Sequence, residues 1–175
     1  VRTAVRFLDH LIAKAVQEIA VVPGPAAHDG IAALAVQRID PDAAIQRVIE
    51  SILLGQRRIL ATLATGTGKT CVAFQICWKL WNSRWNRTGA YRRPKILFLA
   101  DRNILVDDPM AKMFAPFGDA RHKIAGGDVS QSRDMYFGIY QALSTSTEDV
   151  FRKYRPDFFD LIIVDECHRG SAKEE

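Results

Sequence analysis

The chain has 175 residues, 48% hydrophobic and 25% charged, with 24 Lys and Arg against 20 Asp and Glu. These fractions exclude a disordered, collagen-like or coiled-coil chain and suit one soluble domain that buries roughly two-thirds of its unfolded surface. No apolar run approaches the ~18 residues of a spanning helix and no N-terminal stretch reads as a signal peptide, so no membrane is expected. Three cysteines make no disulfide framework, which points to a reducing cytoplasm. The formal charge of +4 permits a polyanionic partner without establishing one. A chain that opens on Val1 and closes on Glu175 is expected to be a piece of something longer.

Leu8, Leu11, Ile12, Ala15, Val16 and Ile19 form one apolar stripe, which predicts a first helix ended by Val22-Pro23-Gly24-Pro25. Asp40 and Pro41 open a second helix along Ile45, Val48, Ile49, Ile52 and Leu53, with Gly55 at the position of a C-terminal cap. Beyond it, short apolar runs alternate with helices. Residues 58–63 read as a strand, followed by a glycine-rich turn and a helix from about Lys69 to Trp81. Residues 95–100, 135–140 and 160–164 read as three more strands. Strands without polar alternation are covered on both faces, as in parallel sheets between helical layers. The expected organisation is a three-layer α/β domain over residues 41–175, preceded by a helical lead-in over residues 1–40.

Ala64-Thr65-Gly66-Thr67-Gly68-Lys69-Thr70 lies between a strand and a helix, the setting of a phosphate-binding loop. Gly66 and Gly68 let the backbone turn tightly and aim N–H groups inward, and the following helix adds positive charge at its N-terminus. Thr65, Gly66, Thr67, Gly68, Lys69 and Thr70 are therefore the candidate ATP-binding residues. Lys69 reaches the β- and γ-phosphates, and the Thr70 hydroxyl ligates Mg²⁺. Leu63 stands where the strict pattern has its first glycine, so the match is partial. The other reading is a glycine-rich turn with an incidental Lys-Thr, which the strand–turn–helix context disfavours.

The apolar run 161–164 delivers Asp165 and Glu166 at its C-terminal end, followed by Cys167 and His168. Ligands of open α/β sheets bind outside the carboxyl ends of the strands, where the phosphate loop also lies. Two adjacent carboxylates there divide the work: Asp165 holds Mg²⁺, and Glu166 orients and deprotonates the attacking water. His168 is placed to sense the γ-phosphate or a neighbouring domain. Solvated acids at a strand end are common, and it is the pairing with the phosphate loop that favours the functional reading. Cys71 and Cys77, six apart on one helix, read as buried packing residues.

Residues 64–70 resemble motif I of superfamily 2 helicases and translocases, and Asp165-Glu166-Cys167-His168 resembles motif II in its DECH form. Residues 97–106 resemble motif Ia, and Ile139-Tyr140-Gln141-Ala142-Leu143 resembles a later DNA-contacting motif. The wording of residues 98–106, 114–121 and 158–173 narrows the resemblance to the R subunit of type I restriction–modification enzymes. The resemblance implies a RecA-like P-loop NTPase fold with a mainly parallel sheet. It also implies a motor in which two RecA-like domains clamp ATP and Mg²⁺ and walk along double-stranded DNA, with a separate nuclease domain. Methyltransferase and specificity subunits would be partners, and Arg102, Gly126, Gly127, Tyr140 and Gln141 would touch one DNA strand. The alternatives are the same half of another superfamily 2 motor, of type III restriction or repair type, and a nucleotide-binding fragment without turnover.

Departures from that pattern are specific. An aromatic-Gln pair that reads adenine in the family is replaced by Ile39-Asp40-Pro41, leaving Gln46 as a substitute or as a surface residue. Asp108 stands where many relatives have Gln. Arg84, Arg87, Arg92, Arg93 and Lys95 interleave with Trp78, Trp81, Trp85 and Tyr91, a mixture that suits a nucleic-acid surface. The i, i+3, i+7 spacing of the tryptophans argues instead for an inward-packing helix face. The Asn86-Arg87-Thr88 sequon carries no meaning in a cytoplasmic protein.

Overall fold

The computed structural model describes residues 17–22, 32–35, 41–63, 68–126, 128–143 and 150–165, the first two stretches and Thr62 through their backbone alone. The strands are β1 Gln17–Val22, β2 Ala32–Ala35, β3 Arg58–Thr62, β4 Ile96–Ala100, β5 Arg121–Lys123, β6 Met135–Ile139 and β7 Leu161–Asp165. They form one sheet in the order β2-β3-β1-β7-β4-β6-β5, and every pairing among the described residues is parallel. The helices are α1 Pro41–Leu53, α2 Lys69–Asn82, α3 Ile104–Ala111 and the single turn α4 Tyr140–Leu143. Short 3₁₀ segments cover Ala115–Ala120 and Val150–Lys153.

Side-chain alternation along the central strands divides the core in two. Ile96, Phe98, Phe137, Leu161 and Ile163 face a cluster built from α1, α2 and α3, together with Phe114 and Phe117. Leu97, Leu99, Tyr136, Ile162 and Val164 face the other way, onto Phe151, Tyr154 and Phe159. β4 and β7 are buried along their whole length, which is why their sequences show no polar alternation. This is the three-layer α/β arrangement expected from the sequence. Pro41 is the first residue of α1, and Gly55 adopts φ 79° just past its end, the left-handed geometry a glycine supplies without strain.

One expectation is overturned. The helix predicted through Ile19 gives way to strand over Gln17–Val22, and Ala32–Ala35 is a strand as well. β1 pairs with β3 on one side and β7 on the other, so its backbone groups are satisfied across the sheet. Ile19, Val21 and Val22 are β-branched, and tertiary pairing outweighs a weak helical period in such a segment. Residues 17–22 and 32–35 are thus part of the sheet and not a helical lead-in; residues 1–16 lie outside the described residues.

The tryptophans pack inward. Trp81 is buried, its ring stacked on Trp78 at 5.7 Å and edge-on to Phe117 at 5.1 Å, and Trp85 packs against the same core. Among the described residues no helix is long and apolar enough to cross a membrane.

Candidate nucleotide site at the carboxyl edge of the sheet

Because the strands run the same way, the residues that follow them collect along one edge. Thr62 ends β3, ahead of the candidate phosphate loop, while Asp165 ends β7. Between them lies only β1, whose Val22 pairs with Thr62 and whose Val21 pairs with Asp165. Two strand spacings separate the two ends by roughly 10 Å, which a metal–triphosphate group spans. Asp165 is 6% exposed, so its carboxylate is held at the rim of the core instead of swinging in solvent.

Gly68 closes the loop in the left-handed region, φ 76° and ψ 38°, and its carbonyl accepts the Val72 N–H at 3.0 Å to start α2. Lys69 and Thr70 follow as half-buried residues of the first turn. Their backbone lies where the helix concentrates partial positive charge. A Cβ at position 68 would meet Cys71 Cβ at 3.6 Å, an ordinary contact, so the cost of a side chain there is conformational. Gly68→Ala is expected to destabilise the chain by about 1–2 kcal/mol, the penalty for a left-handed non-glycine residue; equilibrium denaturation measures it. Thr65, Gly66 and Thr67 of the loop, and Glu166, Cys167 and His168 after β7, lie outside the described residues.

A groove of about 420 Å³ opens beside Gly68, between the start of α1 and one face of α2. Pro41, Asp42 and Ile45 line one wall, and Cys71, Gln75 and Lys79 line the other. Cys71, Gln75 and Lys79 recur at i, i+4 and i+8 and so mark one polar stripe on an otherwise buried helix, the sequence signal of this groove. One expectation changes here. Cys71 is exposed, not buried, while Cys77 is buried in the core, where desolvation pushes its thiol pKa up. Gln46 faces solvent and donates to Glu50 Oε1 at 3.2 Å, which fits the reading of a surface helix residue.

The DNA-facing candidates occupy the rest of the same edge. Arg102 follows β4, with a side chain 67% exposed and its Nε 3.7 Å from the Asp101 carboxylate. Gly126, exposed at φ 59°, lies beyond β5, and Tyr140 and Gln141 begin α4 directly after β6. These three strands are neighbours, in the order β4-β6-β5, so the candidates form a row beside the β3–β7 site and not on top of it. Gly127 lies outside the described residues. Asp108 is exposed on α3 and pairs with Lys112 at 3.4 Å, a local contact within one helix.

A hollow of about 460 Å³ near the β5 rim is a different kind of feature. Its two guanidiniums are engaged by backbone: Arg121 donates to the carbonyls of Gly118 and Met110, and Arg133 donates to that of Asp119. It is a crevice tied together by its own arginines.

Residues 38–175 match the family of the type III restriction enzyme res subunit. An endonuclease subunit of the type I restriction enzyme EcoAI from Escherichia coli is 48% identical over 134 residues, covering 75% of this chain. The EcoKI endonuclease subunit of Escherichia coli strain K12 is 29% identical over 156 residues, covering 81% of this chain. The chain spans 16% and 12% of those two proteins. A fragment described as an HsdR subunit of a type I restriction enzyme from Vibrio vulnificus YJ016 superposes with a TM-score of 0.63 at 48% identity, over 92% of this chain and 24% of that one. With its RecA-like α/β sheet and these relatives, the chain belongs to the helicase-related res subunit family and is homologous to the endonuclease subunits of type I restriction enzymes.

Proposed function

We propose that this chain is the first RecA-like half of the ATP-driven motor of a type I restriction endonuclease subunit. The observation that carries this reading is the convergence of the β3 end and Asp165 on one sheet edge, a single strand apart. Lys69 and the first-turn N–H groups of α2 hold the β- and γ-phosphates, and the nucleoside lies toward the groove beside Gly68. The donor set suits Mg²⁺, which takes one or two carboxylates and phosphate oxygens and seldom a full protein cage. Among the described residues no group of three or more His, Cys, Asp or Glu is arranged to hold a metal alone. Thr70 and Asp165 would hold Mg²⁺, which would supply positive charge against the phosphates, and Glu166 would take the proton of the attacking water.

Along β4, β6 and β5 the chain touches one strand of duplex DNA through Arg102, Gly126, Gly127, Tyr140 and Gln141. Backbone contact without base reading suits a protein that moves over any sequence. In the longer protein, a nuclease domain cuts and methyltransferase and specificity subunits select the site, in the cytoplasm. A motor of type III restriction enzymes is the second reading, supported by the family to which residues 38–175 belong. The 48% identity to a type I subunit favours the first.

Hydrolysis in such motors draws on arginines of a second RecA-like domain, a contribution worth roughly 10³–10⁵ in rate. The 175-residue chain is therefore expected to bind MgATP and turn it over very slowly, with or without DNA. Steady-state phosphate release tests this. Brisk, DNA-stimulated turnover by the chain alone would contradict the division of labour between two domains.

A further inference from the structure

The parallel sheet also gathers the residues that precede each strand, on the edge opposite the nucleotide site. That edge is lined with arginine. Arg57 and Arg58 stand at the start of β3, Arg155 precedes β7, Arg84 and Arg93 precede β4, and Arg133 precedes β6 with one Nη on the Asp119 carbonyl; all are exposed except the half-buried Arg93, which stacks on Trp81. Three acids at this edge are engaged, while exposed Asp119 precedes β5 and Glu18 stands beside Arg58 in the β1–β3 register. Asp160 takes Arg92, Asp157 takes Arg155 at 3.1 Å, and Asp134 accepts from Trp81 Nε1 at 3.3 Å. Residues 80–95 hold Arg84, Arg87, Arg92, Arg93 and Lys95 and no acidic residue.

The segment is also rigid. The buried amide of Asn86 donates to the carbonyls of Arg84, Ala90 and Arg92 and accepts from Thr88 and Ala90. Arg84 is held at φ 56°, the left-handed region, with its guanidinium 4.6 Å over the ring of Tyr91. Tyr91 itself is 90% exposed. A strained arginine and a bare aromatic ring, fixed by a buried hub, make a preorganised surface in place of a loose charged loop.

We propose that this amino-end edge is a second seat for the phosphate backbone of duplex DNA, separate from the row of candidates on the carboxyl edge. From β3 to β6 the line of arginines crosses four strand spacings, roughly 19 Å, or more than half a turn of B-DNA at about 34–36 Å per turn. An extended, regular polyanion matches that span. Guanidinium forks favour phosphate oxygens, and a Tyr ring packs against sugar. The proposal does not depend on the nucleotide-site reading, because it uses none of its residues.

The test is fluorescence anisotropy of the chain with a short labelled duplex of mixed sequence, without nucleotide, over a range of salt. The double variant Arg58→Gln/Arg84→Asn removes two amino-edge charges, and Asn tolerates the positive φ at position 84. The control Arg47→Gln/Lys112→Gln removes the same charge from exposed positions elsewhere. The amino-edge variant is expected to bind roughly tenfold more weakly and to lower the salt slope by about 1.8. Arg57→Gln alone should lower that slope by about 0.9, while the control leaves both nearly unchanged. Equal losses in variant and control, or no loss in the amino-edge variants, would overturn the proposal, provided thermal melts show all of them folded. Displacement of the duplex by polyglutamate as effective as by unlabelled duplex would overturn it too, and assign the edge to an acidic protein segment.

Discussion

Lys69→Ala is expected to lower kcat for ATP hydrolysis by about 10²–10³ in a protein long enough to hold both RecA-like domains, and with it ATP-driven movement on DNA. β3 ends at Thr62, Gly68 adopts the left-handed region, and Lys69 is the first residue of α2, so its ammonium belongs to the helix end where the proposed phosphates would lie. Charge builds on the transferred phosphoryl oxygens in the transition state, and a fixed ammonium there acts without reorganisation. Alanine keeps the helix and removes the charge. Binding of unlabelled duplex should persist, because no proposed DNA contact involves Lys69. Single-turnover hydrolysis measures the effect, and near-normal turnover would remove Lys69 from the site. Asp165→Asn makes a paired test: the amide keeps the shape of a side chain that is 6% exposed but removes the charge proposed to hold the metal. Its loss should be eased by raising Mg²⁺, whereas the loss from Lys69→Ala should not.

The sequence made legible those parts of the fold whose signal is local. β3, β4, β6, β7, α1 and α2 lie within a residue or two of their expected limits, because the strands are apolar runs closed by turn residues, α1 is a stripe opened by Pro and closed by Gly, and α2 follows a glycine-rich turn. β1 was hidden because its partners, β3 and β7, are far along the chain, and its own residues also fit a helical stripe. α3 was hidden by Pro109, which sits within its single stretch of helix. β5 has only Arg121, His122 and Lys123, with no apolar signal, and exists because β6 offers an edge.

The site divides in the same way. Loop glycines, Lys69 and the acids follow from chemistry at fixed spacing and are visible in one dimension. The groove beside Gly68 needs α1 and α2 brought together, because the polar stripe of Cys71, Gln75 and Lys79 on α2 marks only one of its walls. The basic cluster of residues 84–95 was legible as composition, but its parts separate only in three dimensions. The tryptophans belong to the core, Arg92 to Asp160, and Arg84 and Tyr91 to the surface.

The Arg92–Asp160 pair bears the other large expectation, that Asp160→Ala costs about 3–5 kcal/mol of stability. Asp160 is 0% exposed and stands immediately before β7. Its carboxylate accepts from Arg92 Nη1 at 2.6 Å and Nη2 at 2.9 Å, from the Arg87 N–H at 3.1 Å and from the Lys95 N–H at 2.9 Å. It therefore closes the loop between α2 and β4 onto β7, and the hydrogen bond first of all raises the Arg92 pKa above its ordinary value. A raised base contributes stability that is present below its unfolded pKa and lost only as pH rises through the folded one. That window lies in strong alkali, so the pair is intact at every physiological pH. Alanine at 160 leaves the guanidinium and two buried N–H groups without their acceptor, and each such group bears its own desolvation cost. Asp160→Asn keeps one acceptor but turns an NH₂ toward donors, so it should recover only part of the loss. For a chain of this size the alanine variant should melt about 6–20 °C lower, with an unchanged m-value in urea. Arg92→Leu should cost less than Asp160→Ala, because the arginine side chain is 36% exposed and its removal leaves the two backbone donors satisfied. A loss below about 1 kcal/mol for Asp160→Ala, the scale of an exposed pair, would mean that Asn86 alone holds the loop closed.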